Sequence, residues 1–141
     1  MNVMIYDKLP EEAQKIRETV FMKEQGFCEE FDEVDEYARH LVLYDGTIPI
    51  ATCRFFRKES CGDYTVGRIA VVKAYRGKKI GAFLLKEVET VIRNSGGKGI
   101  RLHAQYSARE FYRKQGYDGY GEIDLDENCP HIWMRKDLAE G

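Results

Sequence analysis

The sequence predicts an α/β (α+β) fold whose sheet is antiparallel at first and then continues through helical crossovers. Hydrophobic residues recur at helical spacing near the N-terminus and again over residues 79–94, and they follow a strand-like pattern over residues 40–73. The chain has 141 residues, 43% of them hydrophobic and 12% aromatic, so it can build the core of a single domain over residues 1–141. The predicted order of elements is β-α-β-β-β-α-β-α-β-β.

A strand over residues 2–6 and then a helix form the predicted start of the chain. Pro10 suits the first turn of a helix, and Glu11 and Glu12 complement the positive end of the helix dipole. The apolar residues after them recur at helical spacing: Ala13, Ile16, Val20 and Phe21. Gly26 is the predicted stop, because glycine favours helix C-termini.

Three antiparallel strands are predicted next, over residues 41–44, 48–57 and 64–72, which are rich in branched and aromatic side chains. Asp45-Gly46 and Cys61-Gly62-Asp63 mark the turns between them.

The second half of the chain alternates helices with strands. A helix is predicted over residues 79–94, and Gly96-Gly97 would end it. Its apolar residues fall on one face: Ile80, Phe83, Leu84, Val88, Val91 and Ile92. A buried strand over residues 99–104 leads to a helix over residues 108–114, where Ser107 and Glu110 have the spacing of a capping box. Strands over residues 117–120 and 130–135, around a polar loop, complete the fold.

Composition narrows the function classes. The 22 Lys and Arg residues nearly balance the 24 Asp and Glu residues, a net charge of -2, so no basic field predicts nucleic acid or an anionic membrane as partner. The N-terminal residues resemble neither a signal peptide nor a membrane span, and we expect a cytoplasmic protein. The irregular spacing of Cys28, Cys53, Cys61 and Cys129 argues against a zinc site, so no metal is expected and the thiols are predicted to be reduced.

The segment over residues 69–82 carries the sharpest motif. A predicted strand runs into a basic loop that contains glycine and opens a helix, an arrangement that presents backbone N–H groups and the positive helix end to an anion. The spacing of its glycines is neither that of a P-loop nor that of a dinucleotide-binding fingerprint. The alternative is an ordinary solvated turn with several lysines.

This segment resembles the acetyl-CoA loop of the GNAT superfamily of N-acetyltransferases, whose motif is Arg/Gln-x-x-Gly-x-Gly/Ala. Arg76 and Gly81 match the ends of the motif, and Lys79 replaces its inner glycine. The resemblance implies a mixed, mostly antiparallel twisted sheet flanked by helices, and acetyl-CoA as co-substrate. It also implies that the backbone of Ile69 and Val71 pairs with the pantetheine arm. The residues that would hold the pyrophosphate are Arg76, Gly77, Lys78, Lys79, Gly81 and Ala82.

This chain also contains Ala108-x-x-Phe111-Tyr112-x-x-x-Gly116-Tyr117, which resembles a second signature of the superfamily. The resemblance implies that the Tyr112 hydroxyl protonates the departing CoA thiolate, and the alternative is a core aromatic residue. Gln105 stands where many relatives carry an asparagine. Further segments resemble the ElaA/YjcF-type branch: Phe21-x-x-Glu24-Gln25, Asp32-x-x-Asp35, His40, Leu102-His103-Ala104-Gln105 and Pro130-His131-Ile-Trp-Met134.

Acetylation of an amine also needs a base that takes the proton of the ammonium group. His131, in the last predicted strand, is the first candidate, and His103 is the second. His40 is assigned a structural role, and Glu24 or a water relay remains open as the base.

The charge pattern gives two conflicting indications of the acceptor. Residues 24–38 hold seven acidic and no basic residues, which would attract a cationic amine or form a solvated loop. Arg54 and Arg68 lie in predicted central strands, where a guanidinium pairs with a carboxylate of the protein or of a substrate. We assign Glu24 and Arg68 to substrate binding, and a zwitterionic acceptor would reconcile both indications.

The sequence therefore predicts an N-acetyltransferase that moves the acetyl group of acetyl-CoA directly to a primary amine of a small molecule. The resemblance also implies a homodimer as one possible assembly. A covalent acyl-enzyme is not expected, because neither Cys53 nor Cys129 has a spacing typical of a Cys-His pair. Two alternatives stay open. One is a non-catalytic acyl-CoA-binding regulatory module, and the other is a protein that contacts nucleic acid through the loop lysines and Arg76.

Overall fold

A computed structural model describes residues 1–28, 31–57 and 62–138 of the chain. They form two compact units. Unit 1 comprises Met1–Phe56 and Gly67–Val88, and unit 2 comprises Arg57–Val66 and Glu89–Gly141. Over the described residues the predicted order of strands and α-helices is confirmed.

Three strands of unit 1 form an antiparallel meander. They are β1 (Asn2–Tyr6), β2 (Arg39–Asp45) and β3 (Ile48–Arg57). Ile5 lies opposite Leu41 in the first pair, and Leu41 lies opposite Cys53 in the second. Four successive residues of β2, from 40 to 43, are buried, so both faces of this strand contribute to the core.

The first helix begins and ends where the sequence predicts. Pro10 is extended at the N-cap of α1 (Glu11–Arg17), and the helix continues as a π-helical segment over Glu18–Glu24 that the sequence did not predict. Gly26 adopts a φ of 78°, and the next residue, Phe27, donates its N–H to the Phe21 carbonyl at 2.9 Å. Two of its buried side chains, Ile16 and Val20, pack with Ala70.

Strand β4 (Asp63–Val71) and helix α2 (Ile80–Asn94) each contribute residues to both units. The predicted apolar face of α2 is wrong at Phe83, whose side chain is 39% exposed, while Leu85, two residues further on, is buried. The buried apolar residues of the helix are Ile80, Leu84, Leu85, Val88 and Ile92. Most of these lie four residues apart on one stripe, and Phe83 lies at its edge.

Unit 2 combines parallel and antiparallel pairing. The start of β4, Asp63 to Thr65, runs parallel to β5 (Gly99–Gln105). Strand β7 (Cys129–Asp137) pairs antiparallel with β5 and with β6 (Asp118–Asp126). Between β5 and β6 the chain forms the short helix α3 (Arg109–Lys114).

The predicted polar loop between the last two strands is wrong. Strand β6 continues to Asp126, and a tight turn at Glu127 and Asn128 joins it to β7. Glu127 and Asn128 both have positive φ, 49° and 67°. Positive φ at both positions lets a two-residue hairpin turn match the twist of the strands that it joins. Glu-Asn lacks the glycine that usually signals such a turn, so the sequence pattern did not reveal it.

The predicted capping box before α3 is also wrong. Ser107 lies inside a 3₁₀ turn over Tyr106–Ala108, and Ala108 occupies the N-cap position with no side-chain cap. Glu110 instead binds Arg113 at 2.7 Å on the helix surface. A capping box does occur elsewhere, at Asp32 and Asp35.

The strands form one seven-stranded sheet in the order β1-β2-β3-β4-β5-β7-β6. Strand β4 pairs parallel with β5, whereas the pairs β1-β2, β2-β3, β5-β7 and β6-β7 are antiparallel. Helices flank the sheet, so the predicted fold class is confirmed. Among the described residues, no helix has the length and apolar character needed to cross a membrane.

A buried ion network anchors the turn before β2 in unit 1. Arg17, which is 1% exposed, binds both carboxylate oxygens of Asp35 at 2.8 and 3.0 Å. Arg54 binds Asp32 at 2.6 Å and Asp35 at 3.1 Å, and Arg68 binds Asp32 at 3.3 Å. Arg54 and Arg68, the two arginines of the predicted central strands, thus each pair with a carboxylate of the protein. Burial raises the pKa of Asp35, but its hydrogen bonds and the charges of Arg17 and Arg54 outweigh this effect and lower it to about 2.

This network yields a stability prediction. Asp35→Asn removes the buried carboxylate that Arg17 and Arg54 share, so the free energy of unfolding at pH 7 should fall by about 3 kcal/mol. Because folding lowers the Asp35 pKa from 3.8 to about 2, the carboxylate stabilises the wild type fully above pH ~4 and loses its effect as the pH falls towards ~2. The variant should show a weaker pH dependence over that range, measured by chemical denaturation.

Glu36→Gln is the matched control, because Glu36 is an exposed acid on the same 3₁₀ turn. We expect it to change the free energy of unfolding by less than about 0.5 kcal/mol. Equal stability of the two variants at pH 7 would contradict the role assigned to the network.

Candidate functional site

In unit 1 the chain leaves β4 through an exposed basic loop and enters α2. Residues 76–79 are exposed, and Gly77 and Lys79 adopt positive φ values of 79° and 63°. Phe83 donates its N–H to the Lys79 carbonyl at 3.1 Å, so the helix begins directly after Lys79. The first N–H groups of any α-helix have no partner within the helix, and the helix dipole adds positive potential there. This end of α2 therefore suits a polyanion.

Lys79 replaces the inner glycine of the acetyl-CoA loop motif that this segment resembles. Its backbone is left-handed, the conformation for which glycine is favoured. A left-handed φ costs a residue with a Cβ atom about 1 kcal/mol, and the surrounding turn imposes it here. The loop thus has a left-handed backbone at this position without a glycine.

The side chain of Arg76 is held by two partners in unit 1. It donates from both terminal nitrogens to the Glu24 carboxylate, at 2.8 and 3.1 Å, and from Nε to the Val71 carbonyl at 3.0 Å. The hydrogen bond from Arg76 lowers the pKa of Glu24. The sequence assigned Arg76 to the pyrophosphate and Glu24 to the substrate. In the structure these two side chains bind each other.

Strand β4 has an irregular backbone at Arg68, whose φ is 51°. The next residues, Ile69 and Val71, are half-buried. A positive φ inside a strand is typical of a bulge, which redirects the neighbouring backbone and side chains. The predicted roles of Ile69 and Val71 in pantetheine binding, and of Arg68 in substrate binding, stay predictions.

Over the described part of the acidic run at residues 24–38, three carboxylates have arginine partners, while Glu33 and Glu36 are exposed. Glu24 binds Arg76, while Asp32 and Asp35 bind arginines of the network. Glu29 and Glu30 lie outside the described residues. The predicted attraction of a cationic amine to this run stays a prediction.

In unit 2, Tyr112 lies on α3 and is 8% exposed. Its ring contacts Phe111 and Tyr117 edge to face, with centroids 5.1 and 6.1 Å apart. The Tyr117 hydroxyl donates to Glu89 at 2.8 Å, and Lys136 binds the same carboxylate at 3.0 Å. Aromatic packing and this polar cluster fix the position of α3.

The two histidine candidates for the base lie together in unit 2. The His103 ring on β5 stacks on the His131 ring on β7, with centroids 4.7 Å apart, and on Trp133 at 4.8 Å. Nδ1 of His131 lies 2.8 Å from the Cys129 carbonyl, and Nε2 of His103 lies 2.7 Å from Asp124. The third histidine, His40, is buried in β2 and bonds the Asp35 carbonyl at 3.3 Å, in agreement with its structural assignment.

Sequence reasoning missed Asp124, because residues 121–129 were assigned to a loop. Tyr120 lies opposite Trp133, and Asp124 lies opposite His131. Strand β6 therefore advances four residues over the stretch in which β7 advances two. This irregular register brings Asp124 to His103, and no local sequence signal reveals it. Cys53, considered as a nucleophile, is fully buried, and burial raises the pKa of its thiol, as expected of an inert cysteine.

The model of the acetyltransferase (GNAT) domain matches residues 7–138. The chain belongs to the GNAT acetyltransferase family. Membership of the GNAT family makes the chain an acyltransferase and favours this function over the two alternatives left open by its sequence.

Individual relatives agree with this assignment. The chain is 37% identical over 129 residues to a Bacillus subtilis protein named uncharacterized N-acetyltransferase YjcF, which covers 89% of this chain and 91% of the relative. The crystal structure of Escherichia coli ElaA is 25% identical, with a TM-score of 0.83 over 96% of this chain and 98% of that one. An aminoglycoside 6'-N-acetyltransferase complexed with coenzyme A shares the fold, with a TM-score of 0.74 and 16% identity over 98% of this chain and 97% of that one. The predicted resemblance to the ElaA/YjcF-type branch is confirmed.

The left-handed backbone of Lys79 gives a prediction about this GNAT loop. Lys79→Gly should raise the free energy of unfolding by about 1 kcal/mol relative to Lys79→Ala, because both variants lose the charge but only glycine relieves the positive φ. At the neighbouring Lys78 the order should reverse, with Ala more stable than Gly. Urea denaturation of the four variants measures both differences, and the same order at both positions would contradict the assigned backbone conformation.

Proposed function

We propose that this GNAT acyltransferase moves the acetyl group of acetyl-CoA directly to a primary amine of a small molecule. The observation that carries the proposal is the exposed basic loop over residues 76–79, which leads into the N-terminus of α2 with left-handed backbone at Gly77 and Lys79. Anions bind at such helix N-termini through backbone N–H groups and the dipole. A fold relative complexed with coenzyme A supports the choice of this ligand.

The loop fits a pyrophosphate in charge and backbone geometry. We assign the N–H groups from Gly77 to Ala82 to the phosphate oxygens, with Lys78 and Lys79 as neutralising charges. The bidentate contact of Glu24 with Arg76 keeps the guanidinium at the start of this loop. The backbone of Ile69 and Val71 on β4 is assigned to the pantetheine arm.

Acetyl-CoA would supply an activated acetyl thioester. An ammonium acceptor first loses a proton, and its nitrogen lone pair then forms a bond to the acetyl carbon while the bond from carbon to sulfur breaks. The Tyr112 hydroxyl is assigned to protonate the CoA thiolate, and the stacked pair of His103 and His131 is assigned to receive the amine proton. The nitrogen then loses its second proton, which makes up for the one that Tyr112 gave to the thiolate, and the histidine pair releases the first proton to solvent, so the sum is an amide, CoA thiol and one released proton.

The cofactor assignment is tested by thermal denaturation with acetyl-CoA. A ligand at a hundredfold excess over its Kd stabilises the folded state by about 2.7 kcal/mol. Lys78→Glu should weaken acetyl-CoA binding by about tenfold, because it reverses one charge of the loop. Lys8→Glu, an exposed reversal away from the loop in sequence, is the control. No stabilisation of the wild type at millimolar acetyl-CoA would overturn the proposal.

The acid is tested by Tyr112→Phe, which keeps the buried ring and its edge-to-face contacts. We expect kcat for CoA release to fall by about a hundredfold with any accepted amine, and acetyl-CoA affinity to stay unchanged. Tyr106→Phe, in the turn before α3, is the control and should keep its activity. Full activity of Tyr112→Phe would show that another group protonates the thiolate.

A further inference from the structure

Two carboxylates contact the segment that leads into α2, although this segment is assigned to an anion. Glu24, the last residue of the π-helical segment, binds Arg76 through both of its oxygens. Asp45, the last residue of β2, accepts a hydrogen bond from the Tyr75 hydroxyl at 2.7 Å. All four residues belong to unit 1. A negative charge beside an anion site repels the ligand, so Coulomb repulsion alone would disfavour both carboxylates at this place.

The contact with Glu24 fixes the plane of the Arg76 guanidinium. Its two terminal nitrogens donate to the two Glu24 oxygens at 2.8 and 3.1 Å, and its Nε donates to the Val71 carbonyl at 3.0 Å. The Glu24 side chain is 27% exposed and that of Arg76 is 42% exposed, and ion pairs at such exposure add little to the free energy of unfolding. Bidentate pairing does impose a defined geometry. The pair therefore determines where the guanidinium lies more than how stable the fold is.

The contact with Asp45 acts on Lys78 through Tyr75. The Lys78 ammonium lies over the Tyr75 ring, 5.3 Å from its centroid, a distance typical of a cation–π contact. The hydrogen bond to Asp45 raises the pKa of Tyr75, so the hydroxyl remains a donor at neutral pH. Asp45 thus orients the ring, and the ring holds the ammonium group of a lysine that is assigned to the phosphates.

These contacts lie next to the left-handed positions of the loop. Gly77 follows Arg76, and Lys79 follows Lys78, and both following residues have positive φ. A residue keeps a rarely populated backbone conformation only when the surrounding structure imposes it. Each held side chain belongs to the residue directly before a left-handed one. The two carboxylates therefore constrain the loop where its backbone would otherwise relax.

We propose that Glu24 and Asp45 are positioning residues for acetyl-CoA. They hold Arg76 and, through Tyr75, Lys78, so that the loop has its phosphate-binding shape before the cofactor arrives. Such preorganisation raises affinity, because less order has to be created on binding. This inference rests on the proposed function. It assigns Glu24 to the cofactor loop, whereas the sequence assigned this residue to the acceptor.

The sign of the change in affinity distinguishes positioning from repulsion. Glu24→Gln removes a negative charge beside the loop, so repulsion alone predicts tighter binding of acetyl-CoA. Positioning predicts that the Kd, measured by isothermal titration calorimetry, rises by about tenfold. Glu18→Gln removes a carboxylate at the start of the same π-helical segment and is the matched control, with a Kd within about twofold of the wild type. Equal or tighter binding by Glu24→Gln would overturn the inference.

The role of Asp45 is tested by a pair of variants. Tyr75→Phe keeps the ring under Lys78 but removes the hydroxyl that binds Asp45, so the Kd for acetyl-CoA should rise by about threefold. Asp45→Asn removes the charge and keeps an oxygen that accepts from the hydroxyl, so its Kd should stay within about twofold of the wild type. Tighter binding by both variants would show that Asp45 only repels the cofactor and would overturn its assignment.

Steady-state kinetics separates a role in cofactor binding from a role in acceptor binding. With any accepted amine, Glu24→Gln should raise the KM for acetyl-CoA and leave kcat and the KM for the amine little changed. A rise confined to the KM for the amine would return Glu24 to the acceptor site and contradict the inference.

Nuclear magnetic resonance of the full chain without cofactor gives a readout independent of turnover. The Arg76 Nε–H group should exchange slowly with water in the wild type, since it donates to the Val71 carbonyl. In Glu24→Gln it should exchange about tenfold faster, because the guanidinium loses its bidentate partner, whereas Glu18→Gln should keep the wild-type rate. If this pattern holds but the wild type does not bind acetyl-CoA, the proposed function fails and the contact that holds the loop stands. If the wild type and Glu24→Gln bind acetyl-CoA equally, the inference fails and the proposed function stands.

Discussion

The proposed function depends on the turn between β4 and α2. To present the first N–H groups of α2 on an exposed basic loop, the chain must reverse its backbone curvature twice, at Gly77 and at Lys79. Glycine does this without steric cost, but Lys79 does not, so the rest of the loop has to impose the conformation. The contacts of Arg76 with Glu24 and with the Val71 carbonyl tie this turn to its surroundings in unit 1. The loop thus combines local strain with the backbone groups and charges that a pyrophosphate requires.

Strand β4 carries charged contacts in each unit. In unit 2, Asp63 at its start binds Arg135 at 2.9 Å. In unit 1, Arg68 adopts its left-handed conformation and joins the buried network built around Asp32 and Asp35. Taking an ion pair out of water costs desolvation free energy, which good hydrogen-bond geometry has to offset. We interpret these networks as the means by which the ends of β4 are positioned.

Periodicity and turn residues predicted most of the fold, because they record local preferences. The strand over Asn2–Tyr6, the stop at Gly26 and the order of the elements all follow from such preferences. The errors arise where tertiary structure overrides them. Ser107 and Glu110 have the spacing of a capping box, yet the 3₁₀ turn places Ala108 at the N-cap.

The candidate site was predictable to different degrees in the two units. The loop of unit 1 is contiguous in sequence, so its motif was visible, although the partner of Arg76 lies 52 residues away and was not. In unit 2 the histidines were visible as residue types, but their stacking depends on the pairing of β5 with β7. Asp124 could not be predicted from the sequence, because its position beside His103 depends on the irregular pairing of β6 with β7.

We assign the pyrophosphate of acetyl-CoA to the start of α2 and the loop before it. A titration of the ¹⁵N-labelled protein with CoA, followed through backbone amide resonances, tests this assignment. We expect the amides of residues 77–82 to shift most and to saturate together, since they would donate to the phosphate oxygens. Saturable CoA binding that leaves these amides unchanged would contradict it.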